Sequence, residues 1–75
     1  MALTEEQRQE IEKKVDYLAQ KEALVAQRKA LLDELEYAEN DMEEGLILEE
    51  RERLAEKIKT LAANLRQIEA WEQLA

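Results

Sequence analysis

The sequence predicts an all-α fold in which two long amphipathic helices are joined by one tight turn. Three observations predict it. The chain has no proline, one glycine and no cysteine, and the strong helix formers Ala, Leu, Glu, Lys, Arg and Gln fill most positions. Apolar residues recur at steps of seven, or of four and three, which is the period of a helix and not of a strand. Their numbers also mirror about a point near Glu44, as they would if the chain folded back on itself. With 75 residues there is room for one small core, so residues 1–75 read as a single domain.

The first helix is expected over about residues 4–42. Thr4 followed by Glu5, Glu6 and Gln7 is a capping-box arrangement, with acidic residues in the first turn to suit the helix dipole. Nothing breaks the pattern before Gly45, the one residue suited to a left-handed position after a helix. A turn is therefore expected at about 43–46 and a second helix at about 47–74. The alternative, one continuous helix of about 100 Å at 1.5 Å per residue, gives no reason for the mirrored numbering. Folding about Glu44 pairs residues whose numbers sum to 89 or 90: Leu35 with Leu54, Leu32 with Ile58, Val25 with Leu65, Leu18 with Trp71 and Val15 with Leu74.

The two helices differ in how much of their circumference is apolar. In the second, Ile47, Leu54, Ile58, Leu61, Leu65 and Ile68 form one narrow stripe, the seam of a left-handed coiled coil. In the first, Ile11, Leu18, Val25 and Leu32 form one seven-residue row and Tyr17, Leu24, Leu31 and Ala38 a second, about 100° further round. Ala19, Ala23, Ala26 and Ala30 form a third, shallow face. One neighbouring helix covers only one of these sides. The others imply a further chain, most simply a second copy forming a homodimeric four-helix bundle or a higher homo-oligomer, with another protein as the rival. Leu24, Leu31, Ala23 and Ala30 are the expected self-association face, and Trp71 the expected plug of the open end.

Charge is concentrated near the expected turn. Between Asp33 and Glu56 eleven acids face two bases, a balance of −9 within a chain of net charge −8. Glu36, Glu39, Asp41, Glu43, Glu44, Glu49 and Glu50 make this an acidic tip. It reads as a solvated, solubilising end or as a surface that attracts a basic, nucleic-acid-binding-type site on a partner.

Residue inventory weighs against chemistry. There is no histidine or cysteine, and no serine, so Thr4 and Thr60 are the only aliphatic hydroxyls and no base stands ready to activate them. One glycine cannot build a phosphate loop. Aligning Gly45 with the glycine of a calcium loop puts Met42 and Arg51 at ligand positions, where neither can ligate. Lys14, Lys21 and Arg28 form a basic row, but it lies between the two apolar rows, where such side chains snorkel and pair with acids of a neighbouring helix. A pI near 4.5 opposes direct nucleic-acid binding. The longest apolar run, Ala23 to Ala26, is too short to cross a bilayer, and no secretory leader pattern opens the sequence. The expectation is a soluble, cytoplasmic, non-catalytic interaction module, adaptor-like or chaperone-like, without cofactor, metal, membrane or small-molecule substrate. The runner-up is an acidic decoy that occupies a basic site.

Overall fold

The computed structural model describes residues 2–74, and these are all-helical apart from the ends and one short connection. Three helices follow in order: α1 (Glu5–Glu12), α2 (Lys14–Glu36) and α3 (Asp41–Leu74). No described residue is in a strand.

α1 starts where the capping box sits. The Gln7 amide donates to Thr4 Oγ1 at 3.1 Å, and the Thr4 amide donates to Gln7 Oε1 at 2.9 Å, so two otherwise orphaned donors are satisfied. The expected single first helix is interrupted at Lys13, whose ψ of −2° departs from the helical value. Its amide is shared between the Gln9 and Glu10 carbonyls, at 3.2 and 3.1 Å, which tightens the turn toward 3₁₀ geometry. The Tyr17 amide then donates to the Lys13 carbonyl at 3.0 Å, and helix resumes at once. Two expected helices are thus three.

The turn is the larger correction. α2 ends at Glu36, and residues 37–40 connect it to α3; the expected turn at 43–46 lies inside α3. The cause is a second capping arrangement. Asn40 Oδ1 accepts from the Glu43 amide at 2.9 Å, and the Glu43 carboxylate reaches back to accept from the Glu39 amide at 2.9 Å. Asp41, Glu43 and Glu44 fill the first turn of α3, where the dipole favours acids. Such a cap is worth about 1 kcal/mol, and each acid about 0.3–1 kcal/mol. Against them stands a mid-helix glycine, which costs about 0.5–1 kcal/mol. Starting the helix at Asp41 wins, and Gly45 takes ordinary helical angles with no positive φ.

α3 runs back along α2 and α1. Lys14 Nζ meets Glu72 Oε1 at 2.7 Å, and Arg28 meets Arg51. These pairs sum to 86 and 79, not to 89 or 90. The described chain is a rod of 57 × 15 × 15 Å. Its core is one line along α3, with Leu54, Leu61, Leu65 and Ile68 buried and Ile68 only 1% exposed. No residue of α1 or α2 is buried. Their contribution is a half-buried face comprising Tyr17, Leu24, Leu31, Leu35 and Ala38 together with Lys14, Lys21 and Arg28.

This phase reverses the expected one. Leu35 and Ala38, the apolar residues next to the bend, turn inward, and seven-residue steps back from them lead to Arg28, Lys21 and Lys14 and to Leu31, Leu24 and Tyr17. Leu24 and Leu31, expected to face outward, therefore lie toward α3, while Leu18, Val25 and Leu32 are left about half exposed. Val15 and Leu74, an expected pair, are both exposed. Trp71 lines a shallow cleft with Thr4, Gln7 and Glu10 at the start of α1.

Gly45 gives the turn correction a direct test. A Cβ added there meets nothing within 4 Å, so Gly45→Ala should stabilise by about 0.5–1 kcal/mol, raising the thermal midpoint by several degrees in a chain of this size. Asn40→Ala should cost about 1 kcal/mol. Urea titration checks both, and a destabilised Gly45→Ala would return the turn to residue 45.

Candidate partner-binding face

The residues singled out by sequence fall into three groups. Leu54, Leu61, Leu65 and Ile68 are consumed by the core, and Leu24, Leu31, Leu35, Ile58 and Trp71 are half-buried beside it. Ala23 and Ala30 are exposed on the back of α2. Leu18, Val25 and Leu32 are left, at 47%, 47% and 46% exposure, as one seven-residue row along α2. Val15 extends the apolar surface at 73% exposure. Among the described residues this is a regular line of large apolar side chains that packing within the chain leaves half uncovered.

Between this row and α3 runs a groove of about 270 Å³ lined by Val25, Arg28, Lys29, Leu32, Arg51 and Ile58. Its walls are aliphatic and its polar groups cationic. Arg28 Nε donates to the Arg51 carbonyl and Arg51 Nε to the Arg28 carbonyl, each at 3.3 Å. Each guanidinium is held by a backbone oxygen of the opposite helix, and among the described residues neither forms an ion pair. Two like charges are tolerated here because each finds an acceptor at the partly buried seam. Arg51 is a residue that sequence reasoning misses. It sits in the acidic stretch, where nothing distinguishes it from a solvated base until the register is known. Asn40 and Glu43 were legible, as Asn-x-x-Glu is itself a helix-start signature.

Two further contacts brace the open end. Tyr17 Oη donates to Glu10 Oε2 at 2.6 Å across the Lys13 joint, and that bond holds the phenol above its ordinary pKa of 10.0. The hydrogen bond and charge of Glu72 likewise raise the Lys14 ammonium above 10.5. Lys14 alone among the three bases of its row has the carboxylate partner on a neighbouring helix that the sequence suggested.

No family model, curated protein or solved structure matches this chain. Function must be read from the face itself.

The acidic residues do not converge on one point. Glu36, Glu39, Asp41, Glu43, Glu44 and Glu49 are exposed, while Glu50 is half-buried and pairs with Arg53 at 3.3 Å. Glu49 and Glu50 lie about 12–14 Å along α3 from Asp41, at 1.5 Å per residue. The tip is thus the bend plus the first turns of α3. Among the described residues no three acids are placed to hold a metal ion, and no helix is long and apolar enough to cross a membrane.

The two raised pKa values fix the sign of an alkaline effect. A group whose folded pKa exceeds its unfolded value contributes stability below the unfolded pKa and loses it as pH rises through the folded one. Tyr17 and Lys14 should therefore leave stability unaltered near neutrality and lower it as pH rises beyond 10.0 and 10.5. Urea midpoints across that range should fall more steeply for the parent chain than for a Lys14→Met, Tyr17→Phe variant. Equal slopes would show that neither contact persists in solution.

Proposed function

We propose that this chain is a non-catalytic protein–protein interaction module, a coiled-coil-like antiparallel helical hairpin that works by adding another helix to its exposed face. The observation that carries the reading is the Leu18, Val25 and Leu32 row. Each side chain is about half exposed although its spacing is that of a helix-packing seam, and covering such a row contributes roughly 1 kcal/mol or more per residue, taking half of full aliphatic burial. Self-association into a homodimeric four-helix bundle is the simplest way to cover it, with a helix of another protein as the other way. The inventory supports the non-catalytic part: without histidine or cysteine, and without serine, no nucleophile and base can be paired. A cytoplasmic adaptor or small chaperone-like role fits this chemistry, without cofactor, small-molecule substrate, membrane or direct nucleic-acid binding.

The decoy reading keeps one supporting observation, the exposed acids around residues 36–49 at one end of the rod. Its weight is reduced because Asp41, Glu43 and Glu44 serve the start of α3. Association through that end would fade with salt as the Debye length shrinks toward about 3 Å at 1 M, whereas apolar association would persist.

Replacing Leu18, Val25 and Leu32 together by Gln tests the reading. Gln retains helix propensity but gives up the covered half of each side chain, so the monomer should remain helical at low temperature with a lowered thermal midpoint. Association should be lost, and the variant should sediment at the 8.8 kDa chain mass where the parent is larger. Leu61→Ala should instead cost about 2–5 kcal/mol by opening the core. A parent and triple variant of identical sedimentation at every concentration would overturn the reading.

A further inference from the structure

We infer that the occupant of this face is a second copy of the chain, laid antiparallel to the first along α2 with the two-fold axis at Val25. This rests on the interaction-module reading above and adds the partner, its direction and its register.

The argument begins with spacing. Leu18 and Leu32 stand seven residues on either side of Val25, and all three are exposed to nearly the same extent. An antiparallel copy centred on Val25 sets Val25 against Val25, and Leu18 against Leu32 twice, giving three aliphatic layers over about 21 Å at 1.5 Å per residue. Isologous contacts of this kind are how symmetric dimers close.

Charge then selects direction. Flanking the row lie Glu22 and Lys29, three residues before and four after Val25, both exposed. In the antiparallel register Glu22 of each copy comes beside Lys29 of the other, making two ion pairs. Neither side chain has an ion-pair partner within the described chain. Lys14 and Glu36, eleven residues either side of Val25, come to the same level, but Lys14 is already held by Glu72 of its own chain. The one like-charge approach is Lys21 with Arg28, on the side toward α3, and Arg28 is drawn from it by its bond to the Arg51 carbonyl. A parallel pairing sets Glu22 beside Lys21, and Lys29 beside Arg28, of the other copy, so the flanking pairs alone do not separate the two directions. A parallel pairing would, however, set the two bends and their −9 segments side by side, whereas the antiparallel pairing holds the bends about 40 Å apart by the helix rise, well beyond a Debye length of about 8 Å at physiological salt.

The chain has no cysteine, so single introduced thiols report on register without background. Three full-length variants, Leu18→Cys, Val25→Cys and Leu32→Cys, are oxidised singly and in mixtures, with sedimentation of the reduced forms alongside. Val25→Cys should form a disulfide dimer with itself, as its thiols face each other within disulfide reach. Leu18→Cys and Leu32→Cys should each remain uncrosslinked alone and crosslink when mixed. Glu22→Lys and Lys29→Glu should each weaken dimerisation by roughly tenfold, from two exposed pairs turned repulsive, and the double variant should recover it. If all three thiol variants crosslink with themselves, the copies are parallel and the register is overturned while the face stands. A parent that remains at 8.8 kDa, with no crosslinking, overturns the second copy as occupant. If the Gln triple variant also leaves every association unchanged, the interaction-module reading falls with it.

Discussion

The position at which α3 begins controls the rest of this structure. Asn40 accepts from the Glu43 amide in the first turn, the Glu43 carboxylate accepts from the Glu39 amide just before the helix, and the acids of that turn suit its dipole. With the start fixed at Asp41, the chain must reverse in residues 37–40, so Leu35 and Ala38 become the residues that turn inward at the bend. Helical periodicity carries that choice the length of α2. It sets Tyr17, Leu24 and Leu31 toward α3 and turns Leu18, Val25 and Leu32 out. A cap worth about 1 kcal/mol thus decides which apolar row is core and which is surface.

The inner face that results is not an ordinary leucine seam. Lys14, Lys21 and Arg28 share it with the aliphatic residues, as long side chains do when an apolar stem lies at a seam and the charge reaches a polar partner or water. Three bases at the seam have acceptors: Lys14 has Glu72, and Arg28 and Arg51 have each other's carbonyls. The cost is a thin core. Among the described residues four side chains are buried, all on α3, a core of the kind that leaves small domains marginal alone. Covering the outer row of α2 would add apolar burial where the isolated chain has least. A partner that covered this row would therefore stabilise the fold by mass action.

Helix, the N-terminal capping box and the α3 seam are legible in the sequence because each depends on local chemistry or on period alone. Thr4 and Gln7 announce a helix start, and the spacing from Leu54 to Ile68 announces a buried stripe. The turn is misplaced when a lone glycine is given more weight than a cap. Gly45 permits a left-handed turn but does not require one, while Asn40 with Glu43 offers definite hydrogen bonds at an earlier position. The error propagates, because two apolar rows about 100° apart on α2 are equally periodic and only the bend distinguishes them. Whether the Leu24 row or the Val25 row packs inward is thus beyond periodicity. The Arg28 and Arg51 exchange is beyond it too, since it joins residues 23 apart that no local rule connects.

The most direct test of the account is the backbone state of residues 37–46, read from Cα chemical shifts and amide exchange by NMR. Helical shifts through Glu43, Glu44, Gly45 and Leu46, with protected amides from Glu44 onward and non-helical shifts confined to residues near 38–40, are the predicted result. Helical shifts running through Tyr37 to Met42, with a break and unprotected amides at 43–46, would contradict it and return Leu18, Val25 and Leu32 to the inner side of the molecule.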